Sequence, residues 1–444
     1  MHTSDFARKS NWSNNTRMCT TEQLYKLLTE DRFSISTDTR TITPGDIYIG
    51  IKGDVFDGNI FAPQALEKGA RYAIVDDPTY ATDERYILVS NTRQTLEELA
   101  TYHRKQFSIP ILVIGGSNGK TTTKELVHAV LSKKYTAHVT KGNLNNDLGV
   151  PLTILAMPRN TQIAIIEIGA NHPGEHITLM NIVAPTHVLV TNNGADHLEG
   201  FGSLAGVRSA NKEIYGWMRD HEGHIFVNKN ITDLVEDSAD TKCTLYPQKE
   251  VETISGLYAG IRYSEETFIS SLFGSYNEPN ILAAIAVGEY FEVPLSDIKD
   301  AIASYVPTLK RSQVIQGPDY SIILDCYNAN PSSMEAALRD FVKDTTPGKR
   351  VFIIGDMFEM GSEEDRVHKE ILTLVQSLVD TNDTVMCVGP RFGKYKNECS
   401  FSFFETTDSA REVFNALNLS DKFIFLKASR GIRLEEVIKE KVSM

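Results

Sequence analysis

The sequence predicts an α/β protein of three domains, on three observations. Short β-branched apolar runs recur along the chain, and stretches of helical spacing alternate with them. The alternation restarts twice, near residue 107 and again after Lys310-Arg311. At 444 residues the chain is also too long for a single core and fits about three domains. The boundaries expected are 18–106, 107–313 and 314–444. Residues 1–17, "MHTSDFARKSNWSNNTR", read as a disordered extension or a misplaced start ahead of Met18.

In the first zone "TEQLYKLLTE" and "TLEELATYHRKQF" have helical spacing, and "DIYIGIKG" and "YAIVDD" are strand-like. The second zone opens on "IPILVIGG", too short for a helix and rich in β-branched residues, hence a buried parallel strand. "AHVT", "QIAIIEIGA" and "THVLVTNNG" repeat the pattern, with helical stretches between them, which predicts a mainly parallel sheet. In the third zone "SIILDCYNA", "RVFIIGDM", "TVMCVGP" and "FIFLKAS" are strands, and helices are expected near 332–343, 363–380, 408–417 and 432–442. This predicts a second doubly wound, Rossmann-like sheet.

Composition narrows the function. Hydrophobic residues make up 41% and charged residues 23%, as in an ordinary globular chain. The net charge of -13 repels polyanions, so nucleic acid is not the expected partner. Five scattered cysteines without C-x-x-C spacing indicate neither a disulfide framework nor a zinc site, which fits a reducing cytoplasm. No apolar run has membrane-spanning length and no signal-peptide core is present, so membrane insertion is not expected.

The chemistry concentrates at strand ends. "IGGSNGKTTTKE" follows a buried strand and opens a helix. Gly115, Gly116 and Gly119 permit a sharp turn and a close approach, and the helix N-terminus favours an anion. Lys120 adds a charge for terminal phosphates, and the hydroxyl of Thr121 or Thr122 is placed for Mg²⁺. The competing reading is a tight turn with a solvated lysine, which the strand–loop–helix order disfavours. Glu167 ends an apolar strand, where an unpaired carboxylate is costly and a divalent cation or a salt bridge would compensate it. His197 lies just beyond another strand end and is either a ligand or a hydrogen-bonded structural residue. "KGNLNNDLGVP" is a dense asparagine loop, a turn former that also sits at the ligand edge.

Together "GSNGKTT", "GNLNNDLGVPLT", "EIGANHPGE", "HLEGFGS", "DCYNANPSSM" and "GDMFEMG" resemble the Mur ligase family, in the same order along the chain. The match covers nearly everything after residue 34. "STDTRTITPGDIYIGIKGDVFDGNIFAPQAL" is similar to the family's N-terminal UDP-binding domain, and the middle zone to its P-loop ATPase domain. The resemblance implies an ATP-dependent amide ligase that activates a carboxylate as an acyl phosphate. "DCYNANPSSM" and "GDMFEMG", with "GNLNNDLGVP", imply D-alanyl-D-alanine as the amine and UDP-N-acetylmuramoyl-tripeptide as the acid; a cytoplasmic monomer is expected.

Carried over residue by residue, the resemblance gives a nucleotide loop of Gly116, Ser117, Asn118, Gly119, Lys120, Thr121 and Thr122. Thr121 and Glu167 would hold one Mg²⁺, and Glu167 and His197 a second; Lys120, Glu167 and His197 are the catalytic set. Asn280 would contact adenine with Asn277 supporting it, although Asn277 could equally cap a helix. Arg311 would reach phosphate, and Asp325 is the nucleotide-contacting acid. Substrate contacts fall to Thr39, Arg40, Lys52, Asn145, Asn146, Tyr327, Asn328 and Asn330. "GDMFEMGSEEDRVH" would shape the dipeptide pocket without individual roles.

The sequence also departs from the family. Where a carbamylated lysine is usual, Asn211 stands, with Lys212 about 100° further around the helix. Asp196, ahead of His197, would restore the missing charge, and Ala428 replaces a preferred glycine. The alternatives are another Mur-type amino-acid ligase, which "DCYNANPSSM" opposes, and a non-catalytic nucleotide-binding homologue, which Asn211 alone favours.

Overall fold

The computed structural model describes residues 20–29, 33–53, 55–307 and 310–442. The expected extension over 1–17, the second methionine Met18 and Cys19 lie outside the described residues. Sheets of four, six and nine strands form, and the chain divides into two compact units. The first unit comprises Met1–Ile111, His138–Ile168 and Ile177–Pro185; the second comprises Leu112–Ala137, Gly169–His176 and Thr186–Met444.

In the first unit Ile35–Ser36, Ile47–Ile49, Tyr72–Val75 and Tyr86–Leu88 pair in sequence order, all parallel. Tyr48, Ala65, Leu66, Ala73 and Val75 form the core on this sheet. The helix Thr92–Arg104 starts because Asn91 accepts a hydrogen bond from the Gln94 amide, and it buries Leu96, Leu99, Ala100 and His103. The His103 ring is held by the Tyr25 hydroxyl at 2.7 Å, which ties in the helix Thr21–Thr29. The strand Ile163–Glu167 is buried along its whole length, as a parallel-sheet strand should be.

In the second unit Ile111–Gly115, His187–Val190, His224–Asn228 and Lys242–Tyr246 follow one another in space, all parallel. The nine-stranded sheet has two halves. Tyr320–Asp325, Lys422–Lys427, Arg350–Gly355, Thr384–Val388 and Ser402–Phe404 are parallel neighbours in that order. Successive side chains alternate between faces. Ile323, Phe352, Ile354 and Phe425 pack with the helices Pro331–Lys343 and Glu364–Leu378 through Leu338, Phe341, Ile371 and Val375. Ile322, Leu324, Ile353, Ile424 and Leu426 pack on the other side with Phe414 and Leu434. Both faces are covered, as the Rossmann-like reading requires.

The sheet extends beyond the zone read from the sequence, and one expectation needs correction. Val251–Thr253, Tyr258–Tyr263, Glu266–Phe273 and Gln313–Gln316 add an antiparallel half to the parallel one. Burial alternates along Glu266–Phe273, so this half is covered mainly on one face. The helix expected over 432–442 is instead two 3₁₀ turns, Arg430–Ile432 and Leu434–Val437. Arg433 between them has φ +54°, which interrupts helical continuation, while Leu434, Val437 and Ile438 still reach the core. Among the described residues no helix is long and apolar enough to cross a membrane.

Candidate active site

In the second unit the fully buried strand Ile111–Gly115 delivers the glycine loop to the start of the helix Lys120–Leu131. Gly116 and Gly119 have φ of +107° and +81°. A Cβ on Gly116 would lie 2.4 Å from Thr191 Oγ1, and one on Gly119 would lie 2.5 Å from Asn280 Oδ1. Only glycine fits either place. The loop is pinned by Asn192, whose carbonyl accepts from the Ser117 amide at 3.0 Å and whose Oδ1 accepts from the Asn118 amide at 3.1 Å.

Lys120 donates to the carbonyl oxygens of Gly116 (2.6 Å) and Ser117 (2.9 Å), and its Nζ stands 3.7 Å from Asp196 Oδ2. The Ser117 hydroxyl is buried and has no hydrogen-bond partner among the described residues. An orphaned donor beside a lysine at a helix N-terminus is a place for an anion, so the loop fits a nucleotide phosphate. Thr121 and Thr122 are buried in the same turn.

Asn280 and Asn277 come together as the sequence led one to expect. Asn280 accepts from Thr123 Oγ1 at 2.9 Å and donates to Asn277 Oδ1 at 2.8 Å. Asn277 occupies the N-cap position of Glu278–Tyr290, but its side chain donates to the Phe273 carbonyl and does not cap.

His197 follows the strand His187–Val190 with φ +48°. Its Nδ1 lies 2.6 Å from Glu359 Oε2 and its Nε2 3.6 Å from Asp196 Oδ2. Burial disfavours the charged imidazole, but the bond to Glu359 and the charge of Asp196 outweigh it, and the pKa of His197 is raised. Glu359 is correspondingly lowered, first by that same hydrogen bond. Asn211 is buried in the helix Leu204–Asp220 and donates to Asn193 Oδ1 at 2.8 Å. Lys212 turns aside to Asp237 at 3.1 Å, as its position around the helix predicts.

Asn330 caps the helix Pro331–Lys343 and reaches into the same group, donating to Asn118 Oδ1 (2.8 Å) and Asp196 Oδ1 (3.4 Å). Asn118 in turn donates to Ser332 Oγ at 3.1 Å. Asp325 accepts from Lys427 and from the Ser312 amide, while Arg311 stacks on Tyr327 with its guanidinium carbon 3.7 Å from the ring centre. Asn328 is exposed.

In the first unit Glu167 is 1% exposed and accepts from Asn145 Nδ2 at 2.7 Å, while its amide donates to Thr140 Oγ1. Asn146 serves the local turn by accepting from the Gly149 amide. Thr39 donates to Gln64 Oε1, Arg40 is exposed and pairs with Asp38, and Lys52 is exposed. Among the described residues no three His, Cys, Asp or Glu side chains converge as a metal cage. A single buried carboxylate at a strand end is an oxygen donor of the kind Mg²⁺ takes, since that ion keeps waters and accepts phosphate oxygens for the rest.

Sequence reasoning did not single out Glu359, Asn193 or Lys427. The only signal available was that Glu359 lies in the distinctive run "GDMFEMG".

Three family models match the chain: the Mur ligase family catalytic domain over 34–105, the Mur ligase middle domain over 114–288 and the Mur ligase glutamate ligase domain over 310–436. UDP-N-acetylmuramoyl-tripeptide–D-alanyl-D-alanine ligase of Bacillus subtilis is 33% identical over 427 residues, covering 91% of this chain and 92% of its own. The Escherichia coli ligase of the same name is 32% identical over 425 residues, covering 91% and 93%. A crystal structure of MurF from Acinetobacter baumannii superposes with a TM-score of 0.82 at 26% identity, covering 95% of this chain and 98% of that one. MurF from Thermotoga maritima with ADP has the same fold, at a TM-score of 0.77 and 24% identity over 91% and 96% of the chains.

Proposed function

The chain belongs to the Mur ligase family, and from that premise we propose how its residues carry out an ATP-dependent ligation. It is an amide-bond-forming enzyme that joins D-alanyl-D-alanine to UDP-N-acetylmuramoyl-tripeptide, in peptidoglycan precursor synthesis. The observation that carries this at the site is the glycine loop, with Lys120 at the helix start and the buried, unpartnered Ser117 hydroxyl.

The substrate carboxylate attacks the γ-phosphorus of ATP, giving an acyl phosphate and ADP. The dipeptide amine then adds to the acyl carbon, and the tetrahedral intermediate expels phosphate. Phosphoryl transfer of this kind needs positioning and charge neutralisation more than a covalent enzyme group. Lys120 leaves the carbonyls of Gly116 and Ser117 for the β- and γ-phosphates, beside the N-terminus of the helix Lys120–Leu131. Thr121 and Glu167 would hold one Mg²⁺, and Glu167 and His197 a second, with Asp196 supplying charge beside His197; the ions would supply charge neutralisation on the phosphates. Asn145 orients Glu167 by its amide. Asn280, Asn277, Arg311 and Asp325 serve the nucleoside. Thr39, Arg40, Lys52, Asn146, Tyr327, Asn328 and Asn330 serve the two other substrates. The working domain division is 18–106, 107–313 and 314–444, in a cytoplasmic protein.

A phosphate-release assay tests the reading. Release of phosphate from ATP that requires both UDP-N-acetylmuramoyl-tripeptide and D-alanyl-D-alanine is the expected result. ATP binding without release would favour a non-catalytic homologue, and release with a different amine another ligase of the family.

A further inference from the structure

His197 and Glu359 meet through an unusual pair of backbones. Neither is glycine, yet both lie in the left-handed region, with φ of +48° and +64°. Such conformations persist where the surroundings over-determine them, and they concentrate at functional sites. Here the surroundings are visible. The Glu199 amide donates to the Glu359 carbonyl at 3.2 Å, and a Cβ on Gly361 would lie 3.2 Å from Glu199 Cα, so the segment around Glu359 is seated closely on 197–199. The side-chain contact of 2.6 Å is made by Nδ1 of His197, which turns Nε2 toward Asp196. Asp196 is itself fixed by Asn330 at 3.4 Å and neighbours Lys120 at 3.7 Å.

We propose that Glu359 is a positioning residue for His197: its carboxylate accepts a hydrogen bond from Nδ1–H and leaves Nε2 as the open nitrogen beside Asp196 and Lys120. A carboxylate on the far nitrogen of a histidine fixes both tautomer and ring plane, and it makes the near nitrogen a better donor to a cation. Glu359 belongs to the segment following the strand Arg350–Gly355, and the histidine to the loop after His187–Val190. The pair therefore makes the histidine's readiness depend on the seating of the later segment. This deepens the ligase reading and rests on it for the role of Nε2, but the tautomer itself does not depend on it.

The test uses the full chain labelled with ¹⁵N-histidine, free of metal and nucleotide, with the His197 signals identified by their loss in His197→Gln. Long-range ¹H–¹⁵N correlation of the neutral ring is expected to show a proton on Nδ1 in the wild type. Glu359→Ala should shift it to the Nε2–H form that a free imidazole prefers. Glu359→Gln, whose amide oxygen can accept the same proton, should retain the wild-type form. In the ligase assay Glu359→Ala should raise the Mg²⁺ needed for half-maximal rate roughly 10–100-fold, with Gln restoring most of the loss. An Nε2–H wild type, or an Ala variant with unchanged tautomer and Mg²⁺ requirement, overturns the proposal. A wild type that forms no product overturns the ligase reading, and the tautomer then decides the role of Glu359 alone.

Discussion

Lys120 Nζ stands 3.7 Å from Asp196 Oδ2 while it donates to the carbonyls of Gly116 and Ser117. The loop lysine is thus held by its own backbone beside a buried carboxylate, in a chain of alternating charge that runs Glu359, His197, Asp196, Lys120. Asp196 is the only one of these four whose charge the sequence suggested as a replacement, for the carbamate that Asn211 cannot carry.

The first prediction follows from that position. Asp196→Asn preserves volume and removes the charge, so turnover should fall roughly 10–100-fold and the Mg²⁺ requirement should rise. Titrating Mg²⁺ against phosphate release at saturating substrates measures both. An unaltered Mg²⁺ dependence would rule out Asp196 as the compensating charge. Asn211 is neutral and bonded to Asn193, so added bicarbonate should not stimulate the enzyme.

A second prediction concerns the loop itself. Gly119→Ala forces a Cβ to 2.5 Å from Asn280 Oδ1 at a φ of +81°. Either the loop or Asn280 must move, and Asn280 is tied to Thr123 and Asn277. The strained backbone alone costs about 1–3 kcal/mol, read as a lower Tm. Loss of ATP binding, measured by calorimetry, should accompany it.

A third concerns acid. Burial is the largest influence on His176 and lowers its pKa to about 4, Lys120 adding to the effect and a hydrogen bond to the Ala210 carbonyl opposing it. The unfolded chain takes up this proton near the ordinary value of 6.5, before the folded chain does. Stability is therefore fully present above 6.5 and falls as the pH drops toward about 4, by about 3 kcal/mol from this group. His187, also lowered to about 4 mainly by burial, adds a similar slope. Urea unfolding of His176→Gln at about pH 7 and about pH 5 should show a smaller acid loss than the wild type. An equal loss in both would contradict the burial argument.

What could be read from the sequence was local. The glycine loop was legible because strand, turn and helix are contiguous there, and Glu167 because it ends an apolar strand. The partners of those residues were not, because Glu359 and His197, or Asp325 and Lys427, meet only through the packing of distant segments. The same limit explains the nine-stranded sheet. "ETFISSLF" alternates as a strand should, but nothing in it says that it joins the later parallel strands through Gln313–Gln316. The expected last helix failed for the converse reason. Its apolar spacing is helical and its residues are buried, but Glu435 pairs with Lys310 and Arg430, and Arg433 takes a left-handed turn.

Asn330 supplies the last prediction, because two of its functions separate by substitution. Its Oδ1 accepts from the Ser333 amide and caps Pro331–Lys343, while its Nδ2 donates to Asn118 and Asp196. Asn330→Ala loses both and should destabilise by about 1 kcal/mol through the cap alone, with turnover falling as well. Asn330→Asp keeps the cap, since aspartate is an equally good N-cap residue, and so should keep the Tm near wild type. It replaces the donor with a carboxylate beside Asp196, and two like charges at that distance repel. Asn118 would lose its donor and Asp196 would be pushed from its place near Lys120, so turnover should fall at least as far as in the alanine variant. Thermal unfolding and phosphate release on the two proteins check this directly. If Asn330→Asp kept full activity, the amide would be serving the helix alone.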